Sequence, residues 1–329
     1  METFKSFVHS LKKINESNFE DIALQLFHFQ SKKNPVYRDY LACLKYNTAK
    51  ISRIDQIPFL PIGFFKTHSV KTGEWPVQAE FLSSGTTGSI SSRHLVHDLD
   101  FYRAHSENIF NHFFGSAESF HFLALLPLYL ERKGSSLIEM MDHLIKRSKS
   151  FHSGFYLNNT EELVDKLVKL KNDGRKVILW GVSFALLDLA EKFELDLSHC
   201  IIFETGGMKG RRKEWIREEL HTYLCKRFHV DVIFSEYGMT ELMSQAYSMG
   251  LGQYQCPSSM RVLIRSINDP FEILASEKTG CLNIIDLANF HSCAFIETQD
   301  IGLLHGNGCF EVLGRMDNSD IRGCNLLIG

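Results

Sequence analysis

The chain has 329 residues, 44% of them hydrophobic. That length exceeds the ~250–300 residues at which a single core stops growing, so one large domain or two closely packed lobes are expected. A formal net charge of −3 provides no basic field and excludes a general nucleic-acid-binding role. The eight cysteines include no CxxC pair, no apolar leader precedes them, and no apolar run approaches the ~20 residues of a membrane span, so the expectation is a protein of the reducing cytoplasm.

The first fifty residues read as a helical preface of three short helices, with Ser17 or Asn18 capping FEDIALQLFHF and Pro35 opening PVYRDYLACLKY. Two prolines among apolar residues make IPFLPIGFFK (57–66) an extended segment over the core. The strand AEFLS leads into Ser83-Ser84-Gly85-Thr86-Thr87-Gly88, and a helix over about 98–114 is expected to follow that loop directly. From residue 120 the chain alternates. Strand-like runs at 120–128, 150–156, 176–180, 200–203 and 230–234 are separated by helical patterns near 135–148, 160–172, 183–193 and 210–227. Such alternation predicts crossover units on a largely parallel sheet, an α/β core over 51–250. From Met260 the runs shorten (MRVLIRSI, GCLNIID, CAFIET, CFEVLG), so residues 251–329 are expected to form a smaller, mainly antiparallel β region.

Several chemistry-bearing sequences fall at strand ends, where ligands collect in α/β sheets. The hydroxyl-rich loop 83–88 lacks the Gly-Lys-Ser/Thr of a Walker motif, yet its glycines let the backbone approach an anion while hydroxyls donate to phosphate oxygens. CIIFE leads to Gly206 and Gly207, where missing side chains would let a flat adenine lie against the backbone. In SEYGMTEL, Tyr237 before Gly238 can stack on a base, Thr240 can bond a phosphate oxygen, and Glu241 can bind Mg²⁺. Asp300, in TQDIG, suits both hydroxyls of a ribose, and Arg315, in GRMD, can reach ribose or phosphate. The basic run KGRRK (209–213) is either a solvated helix start or a polyphosphate contact through Arg211 or Arg212. Trp180, Phe184 and Leu187, in LWGVSFALL, are candidate walls of an apolar channel, although aromatic content equally describes a large core.

The order SSGTTG, GG, YGMTE, TQDIG and GRMDNSDIRG resembles the adenylate-forming superfamily, which includes acyl-CoA ligases and peptide-synthetase adenylation domains. Within it, IPFLPIGFFK, ETGGMKGRR, EYGMTELMSQAY and DLANFHSCAFIETQDIG look most like the acyl-protein synthetases of bacterial bioluminescence, the luciferin-component ligases, over residues 55–324. The resemblance implies the large N-terminal α/β domain of those enzymes. The mobile C-terminal domain that carries a lysine in many members is expected to be absent here. It also assigns Ser83, Ser84, Gly85, Thr86, Thr87 and Gly88 to the phosphates, Gly206 and Gly207 to adenine and Tyr237 to base stacking. Thr240 falls to the α-phosphate, Glu241 to Mg²⁺, and Asp300 and Arg315 to ribose. Family phosphate loops often continue with Pro-Lys, whereas Ser89-Ile90-Ser91-Ser92-Arg93 stands here, so Arg93, Lys209, Arg211 and Arg212 are the cations available to replace the missing lysines.

The activity implied is ATP-dependent conversion of a carboxylic acid, a fatty acid in the resembling family, to an acyl-adenylate, followed by transfer to a thiol. There the acceptor is a cysteine near the C-terminus that passes the acyl group to a reductase partner. Cys324 is the nearest match by position, and a buried free cysteine is the alternative reading. Cys293 and Cys309 are weaker rivals, and the His291–Cys293 pair lacks a second pair at zinc spacing. Transfer to coenzyme A, and a nucleotide-binding protein without catalysis, are the other two outcomes compatible with these motifs.

Overall fold

The structure, a computed structural model, describes residues 4–83, 90–127, 134–156, 159–206 and 215–316. Helices α1 (Phe4–Leu11), α2 (Phe19–Lys33) and α3 (Pro35–Cys43) open it, α3 with proline in its first turn and the Asn34 side chain accepting from the Tyr37 amide. Strand β1 (Leu60–Pro61) and the one-turn helix α4 (Phe64–Thr67) cover the extended segment. Then come β2 (Ala79–Leu82), β3 (Arg93–Val96) and the long helix α5 (Leu99–Phe114), started by the Asp98 carboxylate accepting from the Phe101 amide. The alternating part contains β4 (Phe120–Leu125), α6 (Ser136–Ser148), β5 (Gly154–Phe155), α7 (Thr160–Lys169), β6 (Lys176–Val182), α8 (Ser183–Lys192), β7 (Cys200–Thr205), α9 (Arg217–Phe228) and β8 (Phe234–Tyr237). Strands alone follow among the described residues: β9 (Ala246–Ser248), β10 (Tyr254–Gln255), β11 (Met260–Arg265), β12 (Thr279–Asp286), β13 (Phe295–Leu304) and β14 (Phe310–Arg315).

Strands β5, β4, β6, β7 and β8 lie side by side and parallel, as the alternation predicted. All six residues of β4 are buried, which is what a strand covered on both faces requires. The later strands extend the same sheet instead of building a detached one. β9 turns back antiparallel on β8, and the sheet continues through β10, β14, β13, β12 and β11.

Two apolar clusters result. One lies around β4, β6, β7 and helices α5 to α9, and the other joins α1 to α3 and the 51–70 segment to β11, β12 and β13. Buried amides fasten that second union. Gln30 Nε2 donates to the carbonyls of Asn289, Phe290 and Ser292 while its Oε1 accepts from the Ala294 amide, and Asn34 Nδ2 donates to Ser292.

Two local expectations need correction. The hydroxyl loop does not pass directly into a helix; it sits within the antiparallel hairpin β2–β3, because Arg93–Val96 pairs with Ala79–Leu82 before α5 begins. The strand foreseen over 150–156 shrinks to Gly154–Phe155, since the preceding residues turn and the Ser148, Ser150 and Ser153 hydroxyls bond locally to backbone and to each other.

Candidate functional site

The ends of β7 and β8 are in register, Phe203 with Phe234, Glu204 with Ser235 and Thr205 with Glu236. Side chains alternate along strands, so Glu204 and Tyr237 project to one face while Thr205 and Glu236 project to the other. Gly206 follows immediately, and among the described residues no neighbouring atom lies within 4 Å of the place a Cβ would occupy there. Gly238 is fixed by its surroundings: a Cβ would collide with Glu236 Oε1.

From Gly238 the chain runs through a loop whose backbone is held by buried groups from far along the sequence. His94 of β3 donates from Nδ1 to the Thr240 carbonyl at 2.8 Å, and Asn289 Nδ2 donates to the Glu241 carbonyl at 2.7 Å. Burial drives the His94 imidazole down to about 4, so the ring is neutral with its proton on the atom facing Thr240. Asp286 accepts from the amides of Met243, Ser244 and Ala288 and from the Ser244 hydroxyl. The Glu241 carboxyl, 5% exposed, is raised by desolvation; the Ser92 hydroxyl bonded to it and Arg315 oppose that rise.

Asp300 and Arg315 face each other across β13 and β14. Arg315 Nε stands 3.8 Å from Asp300 Oδ1, and the Tyr237 hydroxyl donates to Asp300 Oδ2 at 2.7 Å. The Tyr237 ring packs edge-on to Phe310 and tilted against Tyr254. Desolvation raises the Asp300 carboxyl, while the tyrosine bond and the guanidinium counter it. Arg315 and Asp300 both act on Glu241 as well. Tyr237, Thr240, Glu241, Asp300 and Arg315, spread over 79 residue numbers of sequence, therefore meet in one neighbourhood.

The neck of the hydroxyl loop enters the same place. Ser83 and Ser92 are tied by Ser83 N to Ser92 O at 3.1 Å and Ser92 N to Ser83 Oγ at 2.8 Å, and Ser92 in turn touches Glu241. Ser84, Gly85, Thr86, Thr87 and Gly88 lie outside the described residues, as do Gly207, Lys209, Arg211, Arg212 and Cys324.

Arg93 does not join the group. It follows Ser92 in an extended strand, so its side chain leaves by the opposite face and its guanidinium lies 3.6 Å from Glu80 on exposed surface. Trp180, Phe184 and Leu187 are wholly buried. Trp180 stacks on Phe203, on the face of β6 opposite the one where Leu186 of α8 packs against Gly181. Cys293 is sealed in the core with its thiol pushed up to about 12 by desolvation, Cys309 is also buried, and His291 packs against Phe4, Trp75 and His97.

Sequence reading missed Ser92, His94, Glu236, Asp286 and Asn289. Glu236 had a usable signal, since it precedes Tyr237 on a strand end and must point to the other face. For His94 and Asp286 no local pattern announces a partner that is 146 or 42 residues distant.

No protein-family model matches the chain, and no curated protein sequence matches it. Solved structures do. A crystal structure of 2-hydroxyisobutyryl-CoA ligase in complex with 2-HIB-AMP and CoA, in the thioesterification state, superposes with a TM-score of 0.68 at 11% identity, covering 92% of this chain and 69% of that one. ATP-bound MatB from Rhodopseudomonas palustris gives 0.54 at 14% identity, covering 73% and 48%. The chain thus spans about half the length of MatB. At these identities the likeness establishes the fold: a mixed α/β domain with a large sheet, matching the N-terminal domain of adenylate-forming enzymes.

Proposed function

We propose that this chain activates a carboxylic acid with ATP, forming an acyl-adenylate, and then delivers the acyl group to a thiol. One observation carries the reading: Tyr237, Glu241, Asp300 and Arg315 converge beside the neck of the hydroxyl loop in a domain whose solved counterparts are acid-activating ligases. MatB is bound to ATP and 2-hydroxyisobutyryl-CoA ligase to an acyl-adenylate and CoA, so the fold is one that supports this chemistry.

A carboxylate oxygen attacks the α-phosphorus of ATP, the bond to the bridging oxygen breaks, and pyrophosphate leaves. A thiolate then attacks the carbonyl carbon, and AMP leaves. Neither step asks the protein for covalent chemistry before the thiol arrives, so alignment and charge neutralisation do the catalysis. In this reading Tyr237 flanks the base beside the open space over Gly206, Asp300 and Arg315 read the ribose, and Thr240 and loop 83–88 position the phosphates. Glu241 fits a magnesium site of the kind that uses one carboxylate with phosphate oxygens and water, because its carboxyl is buried, has no ion pair among the described residues and is adjacent to the loop neck. Mg²⁺ bound there would neutralise charge on the phosphates.

The acyl group is proposed to go to a protein cysteine, with Cys324 as acceptor and a reductase as onward partner, and the acid to be a fatty acid, on the strength of the motif resemblance. Coenzyme A is the second acceptor worth testing, because 2-hydroxyisobutyryl-CoA ligase holds CoA on the same fold. ATP–pyrophosphate exchange that depends on an added acid tests the activation step. Glu241→Gln, which keeps a partner for Ser92, is expected to lower exchange on the order of 100-fold while leaving the melting temperature nearly unchanged. Exchange unaffected by that substitution would remove Glu241 from the site. Mass spectrometry of the intact protein after incubation with ATP, Mg²⁺ and mixed acids separates the acceptors: a hydroxylamine-labile gain lost in Cys324→Ser identifies the cysteine, and acyl-CoA formation insensitive to that substitution identifies coenzyme A.

A further inference from the structure

Two carboxyls sit side by side at the ends of the parallel strands, and they are treated differently. Glu204, 3% exposed, projects to the face of α8 and α9, accepts from Ser183 and Ser235, lies 3.7 Å from His221 Nε2 and feels Arg217; although desolvation is the largest influence, these partners together hold its carboxyl below the ordinary range. Glu236, 7% exposed, projects to the face of α5 and has no such compensation. Burial and neighbouring Glu204 push its carboxyl up to about 7, opposed only by the Thr205 hydroxyl, which donates to Oε2 at 2.7 Å. Among the described residues, no hydrogen bond reaches Oε1.

A buried acceptor without a partner among the described residues stands next to it. Gln245 precedes β9, which pairs with β8 so that Tyr247 lies opposite Glu236; residue 245 is two back from Tyr247 and shares its face. Gln245 Oε1 is buried with no partner among the described residues, while its Nε2 donates to the Met243 carbonyl. The Gln245 chain and Glu236 Oε1 converge on Gly238: a Cβ there would meet both, Gln245 Cγ at 3.5 Å. Buried acceptors are normally paired, and Gln245 Oε1, left without a partner among the described residues, stands with the Glu236 carboxyl and Thr205 Oγ1 as a set of oxygens able to take donors.

We propose that Thr205, Glu236 and Gln245 bind an ammonium group on the substrate acid, so that the activated acid is an amino acid, with its amine α to the carboxyl or farther along the chain. This deepens the acid-activation reading and rests on it, and it replaces the fatty acid suggested by the motif resemblance with an amine-bearing acid. An ammonium has three donors and a charge, matching three oxygens of which one belongs to an uncompensated buried carboxyl. A plain fatty acid offers no donor to Gln245 Oε1 and no charge to the Glu236 carboxyl. Strand alternation also separates the two ligands sensibly: Tyr237 presents one face of the strand end to the base, and Glu236, one residue earlier, presents the other to the acid.

The test is ATP–pyrophosphate exchange with matched acids: lysine, β-alanine and phenylalanine, their deaminated counterparts hexanoate, propanoate and 3-phenylpropanoate, and the hydroxy acid of each. Support is a kcat/KM at least tenfold higher for one amine than for its deaminated and hydroxy counterparts, with Glu236→Gln raising KM for that amine on the order of 100-fold and leaving KM for ATP unchanged. Should Glu236→Gln fail to melt as a folded protein, Gln245→Met carries the same expectation. A deaminated or hydroxy acid that matches or exceeds its amine overturns the ammonium assignment while acid activation stands, and so does a KM shift shared equally by ATP. Exchange with none of the acids, fatty acids included, overturns acid activation and this inference with it.

Discussion

The two sides of the proposed nucleotide cleft are built on opposite terms. On one side, the loop 239–245 has its backbone tied by His94, Asp286 and Asn289, all 1% exposed or less. On the other, Asp300 and Arg315 meet across an antiparallel pair with the Arg315 side chain 62% exposed, and the bond that positions Asp300 comes from Tyr237. The first side gains its geometry from buried hydrogen bonds that also hold the fold. The second is the proposed readout surface, and it rests on a sheet that stands without it. Substitutions on the two sides should therefore fail differently: loss of stability together with activity on the first, loss of nucleotide affinity alone on the second.

The sharpest test of that contrast is Asp286. Removing its carboxylate strands three buried amides at once, and each buried donor left unmet costs about 1–3 kcal/mol, while the Ser244 hydroxyl keeps His105 and Ser259 as partners. Asp286→Ala is expected to lose on the order of 4 kcal/mol of unfolding free energy in urea, with exchange activity falling in parallel. A folded, inactive Asp286→Ala protein would show that the carboxylate orders the loop without supporting the fold.

His94 gives the next largest effect, through pH. Its folded-state value is depressed to about 4 by burial from an ordinary 6.5, so the unfolded chain takes up a proton in this range that the folded one refuses. The stability contributed by keeping the ring neutral is therefore present above pH 6.5 and lost as pH falls toward 4. The stability advantage of the wild type over His94→Asn should shrink by roughly 3 kcal/mol between pH 7 and pH 4, as measured by denaturant unfolding at each pH. An advantage independent of pH would mean that folding leaves the affinity of the ring for a proton unchanged.

How much of this could be read in the sequence follows from the range of the interactions. The helices and parallel strands were legible because 3.6-residue and alternating patterns are local; Tyr237, Glu241, Asp300 and Arg315 could be picked out because each sits in a motif, and the structure brings them into one neighbourhood, while their roles toward a nucleotide are what the exchange assay tests. The loop-in-hairpin arrangement was missed because β3 is four residues long and only pairing with β2 makes it a strand. The anchors were missed because His94, Asp286 and Asn289 acquire their partners by tertiary folding. Glu236 was in view but unused: the same alternation that placed Tyr237 on one face placed it on the other.

The smallest expected effect discriminates best between the two sides. Tyr237→Phe removes one hydroxyl, the donor to Asp300 Oδ2, and keeps the ring against Phe310 and Tyr254. A hydrogen bond to a charged acceptor contributes roughly 1.5–3 kcal/mol, but Asp300 here keeps Arg315 on its other oxygen and borders solvent, so the loss belongs at the low end. Because the freed carboxylate loses its orientation and not its sheet, KM for ATP should rise on the order of tenfold while the melting temperature moves by only a few degrees. If the melting temperature instead falls as far as in Asp286→Ala while KM for ATP is unchanged, then Tyr237 and Asp300 form a structural brace, and the distinction between an anchored side and a reading side disappears.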